Sequence, residues 1–512
     1  WPQTRCCWSS VGPETAGSYA GNLTGQGRIN AVAIDPTNSN IWYVGSPSGG
    51  IWKSTNAGST WTNLFDEYPS IGVSSIAINP QNPDIIYIAT GDKDASDTQS
   101  AGVFKTTDGG NTWNVTGLGP GYIYRSAYLT WSGYLNEILI NPDNPNILWV
   151  GANDAVLKST DAGVTWSYTS IDGEDVRDIK LKPGDPNTVY VATNSRFYKS
   201  TNGNSFTQIT SSGLPTTSGR RLIAVTPADP DVVYLLTATT SWGYQGIYRS
   251  DDSGETFART TNNTNILEST QAWYDLAFEV SPTNANELYV GCLNIWKSTN
   301  VGNSFSQLNS WFSQNSAYTH ADIHTLRFFG NTLLAGTDGG VYSSTNGGSS
   351  FQDRSDGLTI GQFYRLSVSK SNPAIMTGGL QDNGGKVRNA SGSWNHWHGG
   401  DGMDNAVDPT NQSRIYGMIQ NGQLLAVSSN GGQSYSYIDA PAGQSGNWIT
   451  PITLNGDGEV FAGYSRVFKL NGTSWQQLGT VGSGNIEDLE ASQNDPDILY
   501  AAQGATVYRS LD

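Results

Sequence analysis

Apolar positions along the chain come in short alternating runs that stop at Asx-Pro and glycine turns. Three of them read INAVAIDPTNSNIWYVG (29–45), VSSIAINPQNPDIIYIATG (73–91) and LNEILINPDNPNILWVG (135–151). Each is a strand, an Asx-Pro turn and a second strand, because period-two alternation bounded by turn residues is the signature of a half-buried β-strand. A second unit comes after most of these pairs: IWKSTNAGSTW (51–61), VFKTTDGGNTW (103–113), VLKSTDAGVTW (156–166), FYKSTNGNSF (197–206), IYRSDDSGETF (247–257), IWKSTNVGNSF (295–305), VYSSTNGGSSF (341–351) and AVSSNGGQSY (426–435). Weaker copies are KVRNASGSW (386–394) and VFKLNGTSW (467–475), and VYRSLD (507–512) breaks off before its turn.

The shared pattern, S/T-x-D/N-x-G-x-S/T-W/F, has a local physical basis. An Asx side chain caps backbone amides, glycine supplies a left-handed conformation, and the aromatic residue tucks beneath the hairpin. Each repeat therefore reads as strand A, Asx-Pro turn, strand B, loop, strand C, capped turn, strand D. Four-stranded units recurring at this spacing close into a β-propeller. The prediction is an all-β protein of ten or eleven blades, in one large ring spanning 1–512. Two smaller propellers fused in tandem are the alternative. The opening segment, 1–13, resembles an orphan D strand and is expected to complete the last blade.

The capped turn is the Asp-box, or BNR, hairpin. A large ring of such boxes resembles the sortilin-type propeller family and related secreted BNR-repeat proteins, and the boxes recur in sialidases and in two-propeller xyloglucan-degrading glycoside hydrolases. The order HADIH (320–324), GTDGGVYSS, GQFYRLSVS, GGLQDNGG and HGGDGMD is similar to a signature of secreted, sortilin-related BNR proteins. That resemblance implies an extracellular protein and a function of binding before catalysis.

Composition narrows the partners. A net charge of −17 with no basic stripe argues against nucleic acid. No run of 18 apolar residues is present to span a bilayer as a helix. Three cysteines, Cys6, Cys7 and Cys292, are too few for a disulfide framework, and Cys6–Cys7 reads as a vicinal disulfide or two buried thiols.

The Asp-boxes and Asx-Pro turns belong to one rim, and every long insertion falls on the other, where scaffolds carry function. All four histidines lie between 320 and 398, beside carboxylates. HADIH starts an A strand, TDGG (337–340) and QDNGG (381–385) are B–C loops, and HWHGGDG (396–402) joins a D strand to the next A strand. These clusters are expected to line one site. Strand periodicity puts His320, Asp322 and His324 on one side, a candidate ligand set for a divalent metal such as zinc or calcium. Asp338, Gln381, Asn383, His396 and His398 join them as ligand-binding candidates. The structural alternative is that Asp322 orients an imidazole and that the Asp-Gly pairs form turns. Loop aromatics Tyr122, Tyr124, Tyr128, Trp131, Trp242, Tyr244 and Trp273 either stack on a ligand or pack down on the propeller.

A sialidase would need an arginine triad that the chain lacks, and no nucleophile elbow is present. Two readings remain. The first is a secreted or cell-surface propeller that binds a peptide, protein or glycan. The second is a glycoside hydrolase acting on a polysaccharide, with Asp322, Asp382 or Asp401 as acid and base.

Overall fold

In a computed structural model, the protein is described over residues 10–15, 17, 25–68, 72–96, 98–119, 135–210, 213–313 and 315–510, with the backbone of 123–124 and 127–128. Among the described residues there are ten four-stranded antiparallel sheets, one three-stranded sheet and a two-stranded ribbon (Ile123–Tyr124 with Ala127–Tyr128). Every four-stranded sheet runs in sequence order, which is the meander of a propeller blade. The fold is an all-β, multi-blade propeller architecture.

The chain divides into two compact units, 28–360 and 361–512 with the N-terminal residues. The first unit holds seven blades: 31–63, 73–115, 135–170, 176–208, 220–259, 277–307 and 323–353. It closes on itself, as Ile29 N donates to Thr337 O at 3.0 Å. Ile29, Val32, Ile34, Trp42 and Val44 of the first blade are buried against Leu334, Val341, Leu358 and Ile360 of the seventh. Each such side chain contributes about 1.5–3 kcal/mol when fully buried, so the seam is held by apolar packing as well as by the backbone bond. In the first unit the closing contact thus forms after seven blades. The second unit carries four successive sheets, 363–398, 402–439, 452–479 and 488–510.

Local chemistry explains why the blades repeat. In the first capped turn, Asn56 Oδ1 accepts from Thr60 N and from the Ser54 hydroxyl, both at 2.9 Å, and Ser54 Oγ accepts from Gly58 N at 2.9 Å. The same three bonds recur at Ser298, Asn300, Gly302 and Ser304. The residue before the glycine is also left-handed, even where it is Ala57 or Val301, a strain that the converging side-chain caps hold in place. On the same rim, Asp35 Oδ1 accepts from Thr37 N at 2.7 Å and Asn38 N at 3.2 Å, closing the Asx-Pro turn. The glycines ending the B strands serve packing: a methyl group on Gly291 would stand 2.6 Å from Ile323 of the next blade.

Residues 1–9 of the expected closing strand lie outside the described residues. Val11 O accepts from Trp394 Nε1 and Gly17 O from His396 N, so Val11 and Gly17 lie beside the fourth strand of the eighth blade (Trp394–His398). Cys6 and Cys7 also fall outside the described residues. Cys292 is a buried free thiol.

Candidate functional site

In the first unit, the loop joining strands B and C of the second blade crosses the end of the central channel. Asp92 pairs with Arg28 of the first blade at 2.6 Å and accepts from Asn30 at 3.0 Å. Lys93 O accepts from Arg177 of the fourth blade at 3.5 Å. Asp94 pairs with Arg220 of the fifth blade at 2.8 Å and with His324 Nδ1 of the seventh at 3.1 Å. One loop thus bonds to four other blades, three of them through buried ion pairs.

His324 is the centre of this network. Its Nε2 lies 2.9 Å from Asp338 Oδ1, and Asp338 Oδ2 accepts from the Tyr274 hydroxyl at 2.5 Å. The Tyr274 ring stands edge-on to the imidazole with centroids 4.8 Å apart, and the Arg28 guanidinium lies over the Tyr274 ring. Burial alone would lower the pKa of His324, but the charges and hydrogen bonds of Asp338 and Asp94 outweigh it and raise the value to about 10. A carboxylate at each ring nitrogen favours the imidazolium, which can donate to both. Burial opposes ionisation of Asp94, yet Arg220 and His324 hold it well below the usual carboxylate range.

The HADIH segment does not follow strand alternation. Its strand begins at Ile323, and Asp322 just before it is left-handed, with φ 60°. His320 instead packs against Gly339, where a methyl group would meet its ring at 2.4 Å. The expected set of His320, Asp322 and His324 as metal ligands is corrected accordingly: both nitrogens of His324 already face carboxylates, leaving no lone pair for a metal. Carboxylate oxygens of Asp322 and Asp338 lie within 4.8 Å of one another and are the donors left in this unit for a hard cation. Asp322 Oδ1 accepts from Gln271 Nε2 at 2.5 Å. Nearby, Asp275 is buried, and burial together with the Asp322 charge pushes its pKa well above the usual carboxylate range.

His320 and His324 belong to the first unit, and His396 and His398 to the second. In the second unit, His396 and His398 are fully buried. His398 donates from Nδ1 to Gly399 O at 3.0 Å, and burial lowers its pKa to about 4. Asn383 is buried as well. Asn383 Nδ2 donates to Gln381 O at 2.9 Å. Asp382 sits in a left-handed turn capped by Asp401, whose Oδ1 accepts from Asp382 N at 2.8 Å. Gln381 Nε2 donates to Asp382 Oδ2 at 2.7 Å.

Among the loop aromatics, Trp242 packs down: it joins the core between the fifth and sixth blades and its ring lies over Gly219. Trp273 is 47% exposed beside Tyr274. The side chains of Tyr122, Tyr124, Tyr128 and Trp131 lie outside the described residues. Sequence reasoning did not single out Asp92, Asp94, Arg220 or Tyr274. The length of the 91–102 insertion and its three aspartates, in GDKDASDTQSAG, were the available signal.

A second charged cluster joins the third, fourth and seventh blades. Lys180 pairs with Glu137 at 2.9 Å and Asp178 at 2.5 Å, and Arg327 pairs with Glu137. Below that, apolar A-strand residues such as Ile34, Ile78, Ile140 and Phe329 line a cavity of about 840 Å3.

No family model matches the chain. A xyloglucanase of Hypocrea jecorina (strain QM6a) is 28% identical over 155 residues, which is 28% of this chain and 18% of that protein. The match thus spans less than a fifth of the curated relative's length. The crystal structure of a GH74 enzyme from Niastella koreensis superposes with a TM-score of 0.66 at 18% identity, covering 97% of this chain and 78% of that one. The GH74 xyloglucanase from Xanthomonas campestris gives 0.67 at 15% identity, covering 96% and 79%. At these identities the structural likeness shows the multi-blade propeller fold.

Proposed function

We propose that the protein is a glycoside hydrolase that cleaves a β-linked glucan of the xyloglucan class, a polymer met outside the cell. The observation that carries this reading is Asp338, which accepts a charged hydrogen bond from His324 on one oxygen and a phenolic one from Tyr274 on the other. An acceptor-only carboxylate in a fixed orientation is what a glycosidase needs in its base or nucleophile. Within the first unit the acid partner is sought in Asp322; Asp382 of the second unit is a separate candidate, and Asp401 is assigned to holding its turn. The likeness to xyloglucanases, in sequence and in fold, supports the same reading.

This is the second of the two readings open from the sequence, and it displaces the binding propeller. No observation favours a peptide or protein ligand. The test is release of reducing ends from xyloglucan and unsubstituted β-glucans by wild type, Asp338→Asn, Asp322→Asn and Asp382→Asn. Turnover abolished by Asp338→Asn supports the assignment. The acid variant is recognised by retained activity on an aryl β-glycoside, whose leaving group needs no protonation. Wild-type protein that releases nothing from any β-glucan sinks the proposal.

A further inference from the structure

Trp448 lies in the loop between the ninth blade's last strand (Ser436–Asp439) and the tenth blade's first (Ile452–Leu454). It is 46% exposed, whereas Trp394 and Trp397 of the same unit are buried. Its position is nevertheless fixed. Trp448 O accepts from Asn421 N at 3.1 Å, and the indole Nε1 donates to the Tyr364 hydroxyl at 3.1 Å. Tyr364 in turn donates to Gln381 Oε1, and the other end of that amide, Nε2, donates to Asp382 Oδ2 at 2.7 Å. A row of four side chains therefore runs from an exposed indole to a carboxylate, with every donor and acceptor used in one direction.

An indole held by its N–H edge, with much of its ring in water, is built to accept a flat apolar face. The pyranose rings of a β-linked glucan offer one, because their hydroxyls are equatorial and their axial C–H bonds form a face that packs on aromatic carbon. The neighbouring polar row suits the ring's edge hydroxyls, since the Tyr364 oxygen and the Gln381 amide can exchange hydrogen bonds with them. Gln381 cannot reorient without releasing either Tyr364 or Asp382, so a sugar seated on Trp448 has a defined register relative to Asp382. We propose that Trp448 is a stacking subsite for a pyranose ring of the glucan, with Tyr364 and Gln381 as positioning residues between that subsite and Asp382. This rests on the hydrolase reading and deepens it.

The experiment measures turnover of xyloglucan, and quenching of tryptophan fluorescence by a xyloglucan-derived oligosaccharide, for wild type, Trp448→Ala and Trp448→Phe. The expected result is a KM raised about tenfold or more in Trp448→Ala with kcat changed much less, a loss worth ~1.4 kcal/mol or more. Trp448→Phe should restore most of the affinity, because a smaller ring still stacks. Gln381→Leu should instead lower kcat, since it frees Asp382 without touching the platform. If wild type turns over xyloglucan and Trp448→Ala matches it in KM and in oligosaccharide affinity, the stacking subsite is overturned while the hydrolase reading stands. If wild type neither cleaves nor binds any β-glucan, both fall together.

Discussion

Asp94 of the second blade and His324 of the seventh meet at 3.1 Å, although 230 residues separate them in the chain. The carboxylate is shared with Arg220, and the imidazolium with Asp338. A closed ring brings non-consecutive blades to one axis, and here the axis end is sealed by alternating charge in a buried setting.

Removing one member of such a chain leaves its partners charged and buried, which costs far more than the intact pair contributes. Asp94→Asn is therefore expected to destabilise the first unit by about 3–5 kcal/mol. Thermal unfolding followed by near-UV circular dichroism should show a lowered midpoint. A smaller cost for Asp94→Asn than for a surface carboxylate such as Asp66 would mean that the network is not a structural tie.

The two buried imidazoles predict opposite pH responses. His324 has its pKa raised to about 10, so its contribution is fully present below about 6.5 and is lost as pH rises towards 10. His398 has its pKa lowered to about 4, so its contribution is present above about 6.5 and is lost as pH falls towards 4. Denaturant titrations of His324→Gln and His398→Gln against wild type check this. The first difference should shrink on the alkaline side. His398→Gln should flatten the acid-side slope, an effect of up to roughly 3 kcal/mol between the two pKa values. Parallel curves for both variants would refute these protonation states.

Metal content offers a separate check. Because His324 spends both nitrogens on carboxylates, the double variant His320→Ala/His324→Ala is expected to carry the same metal content as wild type. Elemental mass spectrometry of the purified proteins reads this directly. A stoichiometric metal lost in the variant would restore the histidine ligand set.

The capped turns and Asx-Pro turns were legible because their bonds join residues two to four apart, such as Asn56 to Thr60. Strand order within each blade followed from them. The point at which the ring closes was not legible, since it depends on Ile29 meeting Thr337, and any blade edge offers the same backbone groups. At the site, His324 and Asp338 stood out as a rare residue and a carboxylate in a B–C loop. Their partners Asp94, Arg220 and Tyr274 did not, because nothing in a linear pattern marks residues that meet only across the ring. The strand alternation assumed for HADIH failed for a local reason: Asp322 adopts a left-handed turn, and that turn ends the alternation before Ile323.

Tyr274 and Asp338 give the sharpest kinetic contrast. If Asp338 is the base or nucleophile, Asp338→Asn should reduce kcat on a β-glucan by at least about a thousandfold, because the amide keeps the shape but cannot accept a proton or attack carbon. The Tyr274 hydroxyl donates to Asp338 Oδ2. Tyr274→Phe deletes that one bond and keeps the ring that packs edge-on to His324. Removing a neutral donor to a carboxylate makes the carboxylate a stronger base. The variant is therefore expected to shift the acidic limb of the kcat profile to higher pH, with a loss of about tenfold at most. A pH–rate profile of the two variants separates the roles. A Tyr274→Phe profile that keeps the wild-type acidic limb, alongside an active Asp338→Asn, would remove both residues from the chemistry.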